Sequence, residues 1–369
     1  MPDVALDHTV TEALFCNAPV AIGVSGGKDS QAAAIATIAY LDTIGHSGPR
    51  ILIHSDLGSV EWNASLDVCE EMSKHFGLEL VVVARKAGGL MERWESRWAS
   101  SVSRYEALET VTLVPCWSTP SMRFCTSEMK THIITAELKR RFPGETVVNV
   151  TGVRREESAQ RAKQPVSDKK GALINWRPII DWTIEEVFAA IDASGMTPHV
   201  AYRGFGMTRV SCRFCIMSSM PDLVAAAAQE ESRDLYLRMV ALEAVSSFAF
   251  QGSRWLGDVA PHLIQGQLAD ALAAGKARAE SRRKIEATIP QELLYVSGWP
   301  TRMPTQDEAD LLAGVRSQIN DLFSFDAKYL DAQGVTERYA ELISLKNARD
   351  ARKVDQALKR QARLERIAA

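Results

Sequence analysis

The chain has 369 residues, 46% hydrophobic and 24% charged, enough apolar material for one large or two ordinary cored domains, which excludes a disordered, collagen-like or disulfide-stapled protein. Its 43 basic and 46 acidic side chains leave a formal charge of -3, so any surface for a polyanion must be local. Six irregularly spaced cysteines without a secretory leader point to a reducing cytoplasm, and no apolar run approaches the roughly 18 residues of a membrane-spanning helix.

The first predicted strand, Val20 to Val24, runs into Ser25-Gly26-Gly27-Lys28-Asp29-Ser30, and an Ala/Ile-rich helix follows from Gln31 to Leu41. Strand, glycine turn and helix start in that order gather free backbone N–H groups and the positive end of a helix dipole at one point, which suits a phosphate. Lys28 adds a point charge, Ser25 and Ser30 add hydroxyls, and Asp29 is placed to hold magnesium, directly or through water, against a pyrophosphate. An ordinary serine-capped turn needs neither the lysine nor the aspartate. The loop is not a Walker loop: Ile22 stands where the first glycine is required, and Asp29 where Ser or Thr should follow the lysine.

The second strand, Ile51 to His54, leads into Ser55-Asp56-Leu57-Gly58. In a doubly wound sheet Asp56 faces the same crevice as the first loop; otherwise it caps a helix over Val60 to Phe76. Cys69 at helical spacing with Leu66, Met72 and Phe76 reads as a buried small hydrophobe, as does Cys16 beside Leu14 and Phe15. His54, His132 and His199 read as structural, with His54 the one nearest the crevice.

Further strands are predicted at Leu80 to Val83, Thr146 to Val150 and Leu173 to Ile179. Their alternation with helical patterns is the rhythm of an α/β, doubly wound parallel sheet. After the fourth strand, Arg154, Ser158 and Arg161 recur at near-helical spacing, and two guanidiniums at a strand end suit a phosphate or sulfate. Thr183 with Glu186 reads as a capping box. Near Pro221 the pattern turns helical, with Leu235, Tyr236, Met239, Val240 and Leu242 on one face, so domains are expected at 1–220 and 221–369, the second all-helical. From Lys346 to Ala369 eight basic residues stand against three acidic ones. With the run Lys276, Arg278, Arg282, Arg283, Lys284, that segment is a candidate for DNA or RNA backbone contact or a solvated helix face.

Cys212-Arg213-Phe214-Cys215 is a C-x-x-C in a loop, and Cys116 and Cys125 lie in another loop rich in proline. Two thiolates on a tight turn reach one tetrahedral centre, and the spacing leaves iron–sulfur and zinc both open.

In order, Ser25-Gly26-Gly27-Lys28-Asp29-Ser30, His54-Ser55-Asp56-Leu57-Gly58, Thr151-Gly152-Val153-Arg154-Arg155-Glu156-Glu157-Ser158 with Arg161, and Pro178-Ile179-Ile180-Asp181-Trp182-Thr183 resemble the successive signatures of the phosphoadenosine phosphosulfate reductase family, within the PP-loop ATP pyrophosphatases. The resemblance spans about residues 18 to 220. It implies an adenine nucleotide α-hydrolase-like (Rossmann-like) fold. It also implies an adenine nucleotide, ATP with Mg2+, held by Ser25 to Ser30, Asp56, Gly152, Glu157 and Ser158, with Lys28, Asp29, Arg154 and Arg161 acting on the phosphates. Several branches of the family pair a cysteine in the segment resembling Arg123-Phe124-Cys125-Thr126 with a later C-x-x-C around a 4Fe-4S cluster. That implies Cys125, Cys212 and Cys215 as ligands, with Cys116 as the fourth or one iron left open, and places zinc second.

Three functions follow as expectations. The first is an ATP pyrophosphatase that adenylates an acceptor, nucleic acid foremost, for cluster-dependent sulfur transfer from a sulfur donor protein. The second is an adenylylsulfate or phosphoadenylylsulfate reductase forming sulfite; such enzymes carry a nucleophilic cysteine in a C-terminal Glu-Cys-Gly-type motif, and this sequence has no cysteine after Cys215. The third is a catalytically silent nucleotide-binding accessory protein.

Overall fold

The computed structural model describes residues 2–368. In chain order the elements are α1 (His8–Phe15), β1 (Val20–Gly23), α2 (Lys28–Thr43), β2 (Arg50–Asp56), α3 (Asn63–Phe76), β3 (Glu79–Ala84), α4 (Leu90–Glu106), α5 (Phe124–Thr126), α6 (His132–Arg141), β4 (Val147–Val150), α7 (Ala159–Ala162), β5 (Ser167–Lys170), β6 (Leu173–Trp176), α8 (Ile184–Ala193), α9 (Val200–Arg203), α10 (Met220–Ala227), α11 (Arg233–Ser246), α12 (Gln267–Glu286), α13 (Gln306–Phe323) and α14 (Ala332–Ala368), with short 3-10 turns between. Among the described residues no helix is long and apolar enough to cross a membrane.

The sheet order is β3-β2-β1-β4-β6-β5, parallel throughout except for β5 against β6. Its strands alternate faces with period two. Val20, Ile22, Leu52, Val148, Val150, Ile174 and Trp176 pack on one side with the alanines of α2 and with α8, while Ala21, Ile51, Ile53, Val81, Val147 and Leu173 meet Leu138 and Phe142 on the other. Burial on both faces explains why β1 is apolar at every position. Ile22 is in register with Leu52 on one side and Val150 on the other. The chain adds β2 and β3 to one flank of β1 and β4 to the opposite flank, so the crevice above the carboxyl ends of β1 and β4 is the switch point at which such sheets bind ligands.

The five predicted strands form, with shifted ends. β2 extends to Asp56, and β6 stops at Trp176, after which Ile179 and Ile180 are buried in a turn rather than a strand. β5 was not expected: Ser-Asp-Lys-Lys has no apolar signal because it is a half-solvated edge, where charged side chains also block pairing with another sheet. Cys16 is exposed, a correction to its expected burial; it follows the last turn of α1, and the neighbouring Phe15 is exposed too.

Contacts divide the chain into two units, and the division is not a single cut at residue 220. The sheet unit is Met1–Arg93, Ser118–Met239 and Phe250–Ile264; the other is Trp94–Trp117, Val240–Ala249 and Gln265–Ala369. In the second unit, α13 packs on α12 and α14. Its core holds Arg316, 1% exposed, whose guanidinium donates to the carbonyls of Tyr105 (2.9 Å), Glu106 (3.1 Å), Tyr329 (3.0 Å) and Lys328. Of the basic run on α12, Arg278 donates to Ala244 O and lies over Phe323, and Arg282 is buried 3.6 Å from the Phe248 ring centroid. The run therefore does not present five cations to solvent. Residues 351–362 of α14 are exposed at every position. The side chains of Arg363 and Arg366, and Ala369 altogether, lie outside the described residues.

Candidate functional site

The loop after β1 is held from below by His54. Its Nδ1 lies 3.1 Å from Val24 O and its Nε2 3.1 Å from Glu61 Oε2, so both nitrogens face acceptors and both donate in the imidazolium. Burial opposes that charge, but the Cys69 sulfur at 3.8 Å and the Glu61 carboxylate outweigh it and raise the pKa to about 10. His54 is thus a buried anchor of the loop. Gly26 has φ +72°, and a Cβ there would lie 2.8 Å from the Ser65 backbone on α3, so only glycine fits. Ser30 Oγ donates to Gly27 O (2.8 Å) and accepts from Ser25 N (3.2 Å), closing the turn on itself. Gly27 caps α2 without a side-chain bond to the first N–H groups.

A residue missed in the sequence takes one of those groups: Tyr202 OH, on α9, accepts from Lys28 N at 3.0 Å. Burial raises its pKa above the usual phenol value, so it stays a neutral hydroxyl. Lys28 is 5% exposed; its Nζ lies 3.3 Å from Asp29 Oδ2, 3.4 Å from Thr208 O and 5.0 Å above the Tyr202 ring. No local pattern reveals Tyr202, which is 174 residues from its partner.

From β4, Gly152 touches the start of α2 so closely that a Cβ would lie 2.3 Å from Asp29 O. This brings Arg154, 3% exposed, onto Asp29: Nε donates to Oδ1 at 2.6 Å, and NH1 pairs with Glu156 and reaches Trp182 O at 3.4 Å. Burial alone would lower the Arg154 pKa, but Asp29 outweighs it and the net shift is upward. Asp29 therefore has one oxygen on Arg154 and the other on Lys28. The near-helical face expected for Arg154, Ser158 and Arg161 is not formed. Arg154 precedes a 3-10 turn, Arg155–Glu157, while Ser158 is extended and caps α7, accepting from Arg161 N at 3.2 Å. Arg161 pairs with Glu157, whose carboxylate also accepts from Arg154 N at 3.0 Å. Asp56 ends β2 and accepts from Gly58 N at 2.7 Å, capping the turn ahead of α3.

The C-x-x-C loop follows the segment that braces Lys28. Arg213 N donates to Val60 O at 2.8 Å, and Cys212 bridges Glu61. Gln251 Nε2 ties the loop by donating to the carbonyls of Cys215 (3.2 Å), Ile216 (3.0 Å) and Ser218 (3.0 Å). Burial first, then the charges of Cys215, Glu61 and Cys125, push the Cys212 thiol up, while Lys130 pulls it down. The charge of Cys125 thus reaches Cys212, and Cys125 lies just ahead of a π-helical turn, Ser127–Thr131. Cys215 Sγ accepts from Met217 N at 3.4 Å. Cys116 belongs to the second unit, where it is the only cysteine; its thiol donates to Ser246 Oγ at 3.8 Å and burial pushes its pKa up to about 12. Among the described residues no three His, Cys, Asp or Glu side chains are gathered as a ready metal site.

Comparison with known proteins finds a phage relative, described as an uncharacterized 37.8 kDa protein in the gpa 5' region of Escherichia phage 186, 27% identical over 238 residues, covering 55% of this chain and 68% of that protein. Among solved structures, the phosphoadenylyl-sulfate (PAPS) reductase of Candida auris in a phosphate complex is 14% identical with a TM-score of 0.36, covering 57% of this chain and 98% of that one. The U34-tRNA thiolase NcsA of Methanococcus maripaludis with its 4Fe-4S cluster is 13% identical with a TM-score of 0.34, covering 78% and 79%. The phosphoadenosine phosphosulfate reductase domain matches residues 19–217, more than half of the chain, including the phosphate loop, Arg154, Tyr202 and the C-x-x-C. With its doubly wound, mostly parallel sheet, the chain belongs to the phosphoadenosine phosphosulfate reductase domain family.

Proposed function

We propose that this protein is a PP-loop ATP pyrophosphatase that adenylates an acceptor and delivers sulfur to the activated position. The supporting observation is that one backbone segment serves two loops: Tyr202 and Thr208 hold Lys28, and the same segment runs straight on into Cys212 and Cys215. In the reaction an acceptor oxygen forms a bond to the α-phosphorus, the bond to the β-phosphate oxygen breaks, and pyrophosphate leaves. The sulfur nucleophile then displaces AMP. The α2 N-terminus and Lys28, kept in place by Asp29 and the Thr208 carbonyl, stabilise charge on the departing pyrophosphate. Arg154 holds Asp29 and so orients Lys28. Magnesium would enter with the nucleotide phosphates, since both Asp29 oxygens are engaged by cations.

Cys125, Cys212 and Cys215 fit a soft metal by their chemistry, and the Met217 N–H bond to the Cys215 sulfur is of the kind that steadies a thiolate ligand. A 4Fe-4S cluster on these three would supply a soft site for sulfur. Nucleic acid is the acceptor this reading favours, met by the exposed basic stretch of α14. The family match supports a second reading, sulfite formation from a sulfated adenylate. Anaerobically purified full-length protein is tested for pyrophosphate–ATP exchange with and without DNA and tRNA, and for thioredoxin-dependent sulfite release. Exchange stimulated by nucleic acid is expected; sulfite release without exchange would overturn the first reading in favour of the second.

A further inference from the structure

The three cations expected at the phosphate loop are all partnered: Lys28 with Asp29, Arg154 with Asp29 and Glu156, and Arg161 with Glu157. Three cations meet three carboxylates, so this set has no positive charge in excess. A nucleotide tail carries several negative charges and calls for a cation beyond the set.

Arg209 lies in the segment that packs on this loop. The residue before it, Thr208, gives its carbonyl to Lys28 Nζ at 3.4 Å, and the residue after it, Val210, places its carbonyl 3.3 Å from the position of a Cβ on Gly27. Both of its chain neighbours therefore rest on the phosphate loop. Thr208 is fixed in turn by Asp222, which accepts from its N–H at 2.7 Å and its hydroxyl at 2.9 Å, so the backbone around Arg209 is held from both sides. The charge of Arg209 acts on the Tyr202 hydroxyl, the group 3.0 Å from the first N–H of α2. Its side chain is half-buried, and among the described residues it has no carboxylate partner.

We propose that Arg209 binds the anionic tail of the nucleotide, its guanidinium fork taking phosphate or sulfate oxygens beside the α2 N-terminus. A half-buried guanidinium without a counter-charge keeps its fork available, whereas Lys28 and Arg154 must each be shared with Asp29. The assignment rests on the nucleotide reading above, and the experiment separates the two.

Full-length protein, wild type and with Arg209→Ala, Arg209→Lys or Lys28→Ala, is titrated calorimetrically with Mg·ATP and with pyrophosphate at two salt concentrations. Arg209→Ala is expected to weaken both ligands about tenfold or more and to flatten the salt dependence, with Arg209→Lys in between. Unchanged affinity in Arg209→Ala, or a loss with the salt dependence intact, overturns the assignment. Should Arg209→Ala fail to fold, Arg209→Lys decides, because it keeps the charge and loses the fork; affinity equal to wild type then counts against the proposal. Wild-type protein that binds neither ligand removes the nucleotide reading together with this one. Binding that is lost in Lys28→Ala and kept in Arg209→Ala removes this one alone.

Discussion

The Arg154–Asp29 pair joins the loop after β4 to the first turn of α2, and cutting it measures how firmly the site is held. Arg154→Met keeps the length of the side chain and removes the 2.6 Å bond to Asp29, the pairing with Glu156 and the contact with Trp182 O. Removing one member of a buried pair costs about 3–5 kcal/mol, most of it from the charge left behind. Here Asp29 keeps Lys28 at 3.3 Å and its side chain is 17% exposed, so the lower end, about 3 kcal/mol, is expected. Asp29→Asn should cost less, because Arg154 retains Glu156. Urea denaturation of the two single variants and the double variant then yields a coupling energy, expected at about 1.5 kcal/mol or more for a direct charged contact. Single effects that add within about 0.5 kcal/mol would show that the two side chains do not hold each other, and the account of Lys28 orientation would fall with them.

His199 caps α9, its Nδ1 accepting from Ala201 N at 3.1 Å, and burial lowers its pKa to about 4. Its folded pKa lies below the unfolded 6.5, so its contribution is whole above 6.5 and is lost as the pH falls toward 4. The unfolding free energy from urea denaturation should fall between pH 7 and pH 5 by about 2 kcal/mol more in wild type than in His199→Asn, which keeps a cap acceptor without the titration; an equal fall in both would refute it. Gly152→Ala puts a methyl 2.3 Å from Asp29 O and 2.5 Å from Asp29 C, backbone atoms that cannot step aside. A destabilisation of about 1–3 kcal/mol with loss of ATP binding is expected by denaturation and calorimetry, and a variant that binds ATP like wild type would contradict the contact.

The sequence by itself determined the features that neighbouring residues write. Val20 to Val24 reads as a strand because it is a short apolar run rich in branched residues, and it forms over Val20–Gly23; the loop to Ser30 reads as a phosphate turn because its glycines, lysine and helix start are consecutive. The Thr183–Glu186 capping box, with bonds of 2.7 and 3.2 Å, was likewise legible three residues apart. What only the tertiary structure decided is which charges cancel and which side chains brace the loop. Nothing near Asp29 in the chain announces Arg154, 125 residues away, and nothing near Tyr202 or Arg209 announces Lys28. Cys116 and Cys125 are neighbours in sequence yet fall in different units, and Cys16 is exposed although its neighbours are apolar. The physical reason is that turn and cap formation depend on dihedral preferences and bonds a few residues apart, whereas counter-ions and braces are chosen by the strand order that sets β4 beside β1.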